Sequence, residues 1–336
     1  MKQRKLGILE VSPIGVGCMG FSHGYGQIPP EEYSIEAIRK AFAFGCNFYD
    51  TAESYGSQLY YAGHNEQILG KAVKNFRNQA VIATKLMFNQ SEVKSNGSIV
   101  ATIKKHLEQS LKNLQTDYVD LYYLHRVNPE IAVENVAEAM GQLADEKLIR
   151  AWGLSQVSKD TIAKAHSVYP VSAVQNIYSM VERDCEDEIF PYCLQHNIGV
   201  VPFSPIASGL LSGKINQNSD FSHADDVRKF VPQLQPDNIN ANKPLLDLLA
   251  QYAHRKNAAM AQISLAWMLH KYPNVVPIPG SKNQERILEN LSAWDVALSD
   301  SEFQDLEKAL NQIEIFGHRG VEEFQGDSMK GWGKKK

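Results

Sequence analysis

The chain has 336 residues, 43% hydrophobic and 21% charged, the proportions of a soluble globular enzyme and not of a disordered or fibrous protein. A formal net charge of -4 provides no field for a polyanion, so nucleic-acid binding is not expected, and the three lysines at 334–336 read as a solvated tip. No apolar run approaches the roughly 20 residues of a membrane span, and no apolar signal core follows the charged start, so a cytoplasmic protein with no membrane association is expected. Cys18, Cys46, Cys185 and Cys193 are scattered without a C-x-x-C pair, which argues against a zinc site or a disulfide framework.

Leu6 to Val11 reads as a short hairpin turning near Gly7-Ile8. Ile14 to Gly17 is a compact strand whose glycines suit a close approach by another backbone or a ligand. Gly15 to Gly20 spells G-x-G-x-x-G, but a dinucleotide fingerprint needs a helix to open at those glycines, and Phe21 to Pro30 is loop. A helix follows from Glu32, with Ile35, Ile38, Ala41, Phe42 and Phe44 on one face until Gly45 stops it. Strands are predicted over 46–49, 80–84, 118–124, 148–154, 173–175 and 198–203, alternating with helices over 65–75, 99–114, 133–145, 159–166 and 186–196. Strand then helix, repeated with short connections, argues for a parallel sheet covered by helices, and about eight such units close a barrel. After Phe203 the rhythm breaks, and 208–242, rich in Ser, Asn, Asp and Gly, reads as a flexible loop or a lid. Helices return over 243–255 and 261–270, Val275 to Ile278 is the eighth strand, and helices over 283–291 and 300–310 follow. No internal stretch has linker composition, so one domain over 1–316 is expected, with an extended or mobile tail over 317–336.

The candidate chemistry gathers at strand ends, where a barrel places it. Phe48-Tyr49-Asp50-Thr51-Ala52 breaks from strand to loop at a carboxylate, with Tyr55 just beyond. Val81 to Thr84 runs into Lys85, and Val119 to Leu124 runs into His125. A phenol of pKa about 10 is a poor acid at neutral pH and cannot cycle unless its anion is stabilised. A nearby ammonium lowers that pKa, and a buried carboxylate holds the ammonium in place. Asp50, Lys85 and Tyr55 supply those parts, and His125 can orient a carbonyl oxygen towards the phenol. Such a site protonates a developing alkoxide but transfers no electrons, so it needs a hydride donor. Singly, each residue has a plainer role: Asp50 as a cap, Tyr55 as a pocket wall, Lys85 as a surface cation, His125 as a core histidine. Their joint placement at successive strand ends favours chemistry. A metal-dependent hydrolase on the same barrel would need several converging ligands, and His125 stands alone.

These stretches resemble the signatures of the aldo-keto reductase family. Phe48 to Ala52 with Tyr55-Gly56 resembles the first signature, Asp117 to His125 the second, and Val276 to Ser281 the C-terminal cofactor segment, within a likeness running from about Leu6 to Leu310. The resemblance implies an α/β fold, a (β/α)8 TIM barrel with an N-terminal β-hairpin and extra C-terminal helices, that binds NADPH/NADP+ without a Rossmann fold. It also implies a catalytic tetrad of Asp50, Tyr55, Lys85 and His125, with Tyr55 the general acid in the reduction of an aldehyde or ketone. The expected partner is a small-molecule carbonyl substrate, and the expected state a monomer or weak homo-oligomer. Proteins such as the potassium-channel β subunits use the same fold as redox-sensing binding subunits, and that alternative stays open.

By the same resemblance, Ser155 and Gln175 match positions that hold the nicotinamide carboxamide, and Phe203 matches the aromatic residue stacked on that ring. Gln156 stands where the family commonly has Asn. Gly17, Cys18, Met19 and Asp50 are further candidate contacts. Ser204, Pro205, Ile206, Gly209 and Leu211 fall in a segment like the one that crosses the pyrophosphate, and Lys214 follows it. Ile278 and Gly280 lead into Ser281, Lys282 and Arg286, a hydroxyl, an ammonium and a guanidinium suited to a 2′-phosphate at a helix start. Glu289 and Asn290 share the face of Arg286, towards the adenine. Met19, Phe21, Tyr25, Phe88, Arg126 and the loop from Ser208 are candidates for the substrate rim, and none of them names a substrate.

Overall fold

The computed structural model describes residues 3–319. An antiparallel hairpin, β1 (Arg4–Leu6) and β2 (Leu9–Val11), turns at Gly7, whose φ of +57° suits glycine. Seven parallel strands follow: β3 (Val16–Gly17), β4 (Phe48–Asp50), β5 (Val81–Leu86), β6 (Val119–Leu124), β7 (Ile149–Ser155), β8 (Ala173–Gln175) and β9 (Gly199–Val200). They lie side by side in chain order, each laid next to its predecessor by an intervening helix. Segment 275–280 is the eighth stave. Val276 N donates to Val200 O at 2.8 Å on one side, and Gly15 N donates to Pro277 O at 2.9 Å on the other. The barrel is closed.

The helices are α1 (Glu31–Phe44), α2 (His64–Val73), α3 (Gln90–Asn96), α4 (Ile99–Leu114), α5 (Val133–Asp145), α6 (Lys159–Val168) and α7 (Ile189–Gln195). After the barrel's seventh strand come α8 (Pro236–Ala241), α9 (Lys243–Lys256), α10 (Met260–Lys271), α11 (Gln284–Leu291) and α12 (Asp300–Leu310). Several begin where a side chain satisfies the free N–H groups, as Ser98 does for α4, Ser158 for α6, Asn283 for α11 and Ser299 for α12. The stop at Gly45 is real, since its φ of +110° ends α1 in a left-handed turn. Among the described residues no helix is long and apolar enough to cross a membrane.

Two cores result from the period of two in the strands. Outward-facing residues such as Tyr49, Ile82, Tyr122, Trp152 and Val174 pack under the helices. Inward-facing residues such as Phe48, Val81, Ala83, Leu121, Tyr123, Ala151, Val201 and Val276 fill the barrel. Leu6, Leu9 and Val11 of the hairpin belong to this inner core and close it from below. The Arg4 guanidinium fastens the hairpin to the far end of the chain by donating to the carbonyls of Leu269, Tyr272 and Val275.

Several expectations need correction. The strand expected to stop at Thr84 runs on to Leu86, so Lys85 lies inside β5. Phe44 is not part of the buried face of α1; it is exposed and stacks on Trp294. The stretch 208–242 is not featureless, because it holds the 3-10 turns Val227–Phe230 and Pro232–Leu234 as well as α8. Helix α3 was not anticipated, although Asn89 and Glu92 form a reciprocal cap at its start. The tail expected to be extended or mobile lies, from residue 320 onward, outside the described residues, as do the lysines at 334–336.

Candidate active site

Continuing the inward-facing columns of the barrel upward gives the site. Phe48 is followed by Asp50, Val81 and Ala83 by Lys85, Leu121 and Tyr123 by His125, Ala151 by Ser155, Ala173 by Gln175, and Val201 by Phe203. Each column starts apolar and most end polar, so the alternation that packs the barrel also aims these side chains at its mouth. Tyr55 comes from the loop after β4. That loop is fixed by Glu53 N donating to Lys85 O at 3.2 Å and Gly63 N donating to Glu53 O at 2.7 Å.

Lys85 is fully buried, and its three N–H donors meet three acceptors: Asp50 Oδ1 at 2.5 Å, Thr51 O at 2.7 Å and Tyr55 Oη at 3.3 Å. Burial alone would discharge the ammonium, but the Asp50 carboxylate and the phenol outweigh it and hold its pKa above the usual lysine value. The second Asp50 oxygen accepts from Gln175 Nε2 at 2.7 Å. Burial pushes the Tyr55 phenol upward and Lys85 draws it back, leaving it above the ordinary value and hence protonated at neutral pH. Burial, with Lys85 and Arg126 nearby, pushes His125 well below the usual imidazole range. The ring is therefore neutral, a hydrogen-bonding group and not a charge, edge-on to Tyr55 with centroids 5.9 Å apart. Among the described residues no group of acidic, His and Cys side chains could hold a metal ion.

A cavity of about 870 Å³ opens above these groups. Asp50, Tyr55 and His125 form one wall, while Lys85 lies behind Tyr55. The cavity continues past Gly17, Met19, Ser155, Gln156, Gln175 and Phe203, along Ser204, Pro205, Ile206 and Gly209, to Lys214. It is also lined by Ile278, Gly280, Ser281, Lys282, Arg286, Glu289 and Asn290. Four expected site residues are elsewhere: Cys18, Phe21, Phe88 and Leu211 are buried in the outer core between strands and helices. Most lie in loops or turns, where no alternation tells inward from outward. Gln156 also differs in detail, since its Oε1 accepts from Ile177 N at 2.7 Å. The Lys282 ammonium is taken up by the carbonyls of Tyr25 and Gln27.

The region flagged as a lid forms a roof. Val227 N donates to Gly24 O at 3.0 Å, and Gly24 N donates to Asp225 Oδ2 at 2.7 Å, joining it to the loop after β3. Arg228, Phe230 and Val231, from the loop after Ser208 expected at the rim, line the cavity, and so do His23 and Arg319, which were not anticipated. Below the roof, Ser204, Ala207, Ser208 and Gly209 all have positive φ, an expensive run for side-chain-bearing residues that curls the backbone into a cradle. The Ser208 hydroxyl is buried there without a partner among the described residues. Across from it a Cβ at Gly17 would sit 2.8 Å from Ile278 O, so only glycine permits the seam between β3 and segment 275–280. The cradle, the buried Ser208 hydroxyl and the Arg286 guanidinium fit an elongated anionic ligand.

The Aldo/keto reductase family model matches residues 13–311. A probable aldo-keto reductase of Glycine max is 35% identical over 323 residues, spanning 94% of this chain and 91% of that protein. A solved glycerol dehydrogenase from Gluconobacter oxydans is 26% identical with a TM-score of 0.81, covering 93% of this chain and 95% of that one. An aldo/keto reductase from Klebsiella pneumoniae, solved in complex with NADP and acetate, is 25% identical with a TM-score of 0.69, covering 91% and 96%. Nearly the whole length is matched, barrel and mouth together, and the chain belongs to the aldo/keto reductase family.

Proposed function

We propose that this chain is an NADPH-dependent reductase of aldehydes or ketones, with Tyr55 as its general acid. The observation that carries the reading is the buried Lys85 ammonium, held between Asp50 Oδ1 at 2.5 Å and Tyr55 Oη at 3.3 Å. The Klebsiella pneumoniae relative solved with NADP supports the cofactor, as do the cradle over 204–209 and the cations beside α11. A bound nicotinamide supplies the hydride. His125, being neutral, donates a hydrogen bond to the substrate carbonyl and holds it beside the phenol. Negative charge grows on that oxygen as the carbon is reduced, and Tyr55 passes its proton to it. Lys85 stabilises the phenolate left behind, and Asp50 keeps Lys85 charged and in place. Phe203 offers a face for ring stacking, and Ser281 and Arg286 offer a hydroxyl and a guanidinium for the 2′-phosphate. Tyr25, Phe230 and Val231 with Arg126 give a partly apolar rim, suited to a carbonyl compound with some apolar bulk.

The test is NADPH oxidation with a panel of aldehydes and ketones, wild type beside Tyr55→Phe. Wild-type turnover that falls by about a hundredfold or more in the variant, with NADPH affinity little changed, is expected for loss of a general acid. A variant that keeps most of the activity removes Tyr55 from that role.

A further inference from the structure

We propose that Arg319, from beyond the last helix, is a phosphate-binding residue of the cofactor site, its guanidinium placed to grip the cofactor's diphosphate. The inference rests on the cofactor reading above. Residues 315–319 run back over the barrel mouth as a strap. Phe316 N donates to Asn242 Oδ1 at 2.9 Å and Asn242 Nδ2 returns a bond to Phe316 O at 2.9 Å. Gln233 N donates to His318 O at 3.2 Å, and Arg319 N donates to Glu182 Oε1. Asn242, Gln233 and Glu182 are all buried, so the strap is anchored to the interior and not laid loosely on the surface.

The product of this anchoring is the position of one side chain. Arg319 lines the cavity, and its Nε donates to Ser204 Oγ at 3.0 Å. Ser204 directly follows Phe203, and it opens the positive-φ cradle that ends at Gly209. No carboxylate among the described residues pairs with this guanidinium, unlike Arg228, which is held by Asp226. A planar fork fixed through Nε leaves its two remaining nitrogens to meet two oxygens of one phosphate group. The neighbours agree with a diphosphate: the unpartnered Ser208 hydroxyl lies in the same cradle, and the curled backbone favours an anion. Arg286, by contrast, lines the cavity from α11 and not from the cradle, and is assigned to a different phosphate.

The test is direct binding of NADPH and of NADH, followed by nicotinamide fluorescence, with wild type, Arg319→Gln, Arg319→Lys and Arg286→Ala. Loss of a bidentate contact present in both dinucleotides should weaken both by a similar factor, about tenfold or more for Arg319→Gln and less for Arg319→Lys. Arg286→Ala should weaken NADPH far more than NADH. Arg319→Gln binding both dinucleotides as tightly as wild type overturns the inference while leaving the cofactor reading intact. So does unchanged binding joined to a raised KM for 4-carboxybenzaldehyde but not for benzaldehyde, which assigns the guanidinium to a substrate carboxylate. Wild type that binds neither dinucleotide overturns both.

Discussion

Lys85 shows how much one buried charge can organise. Its ammonium is fully enclosed and depends on Asp50, while the Asp50 carboxylate in turn depends on Lys85 and Gln175. Replacing one member of such a pair leaves the other buried and uncompensated, at a cost of about 3–5 kcal/mol. Lys85→Met should therefore lower stability in urea by that order as well as abolish reduction, and adding Asp50→Asn should restore most of the stability but none of the activity. If Lys85→Met unfolds at the same urea concentration as wild type, the pair contributes nothing to the fold. The residues of this cluster were legible in the sequence because strands alternate: a polar residue two places beyond an inward apolar one must face the barrel mouth. Cys18, Phe21, Phe88 and Leu211 were misplaced because loops and 3-10 turns have no such parity. Arg319 was invisible, since nothing in a glycine- and charge-rich stretch announces that it folds back.

Among the elements, the strap over 315–319 has a pH dependence built into its anchor. Glu182 Oε1 accepts from Arg319 N and Gln233 Nε2, while Oε2 is buried with no partner among the described residues. Burial pushes its carboxyl up to about 8 from an ordinary 4.5, with the Arg319 N–H and Gln233 only partly opposing. A folded pKa above the unfolded one means the fold prefers Glu182 protonated. That preference is fully present below the unfolded value and is lost as pH rises through about 8. Glu182→Gln, which keeps a neutral acceptor, should then lose less thermal stability than wild type between about pH 5 and 9. Parallel stability curves for the two proteins would discard Glu182 as the titrating group. At this scale the repeating helices were read nearly to the residue, α4 and α5 among them, because their apolar stripes persist over several turns. The short helices α3 and α8 escaped, being too brief for a stripe and held by caps and tertiary contacts instead.

For the whole molecule, the repeated strand and helix pointed to a barrel, and the inner core with its hairpin floor shows one. What composition could not reveal is the quality of the closure. Pro277 and Pro279 have no N–H, so the bonds joining β3 to segment 275–280 run in one direction only, from Gly15 N at 2.9 Å and Gly17 N at 3.5 Å. The barrel thus has a lengthwise weak stave, pinned at its foot by Arg4 and open to fluctuation near its mouth. Gly17 and Gly280 face each other across it and both line the cavity. A dinucleotide lying there would act as a rivet, trading the breathing of that stave for affinity. Amide hydrogen exchange should be faster at Gly15 and Gly17 than in β5 and β6, and NADPH should slow it at the seam first. Seam amides as protected as those of β6 without ligand would mean that the prolines leave the closure as firm as the rest of the wall.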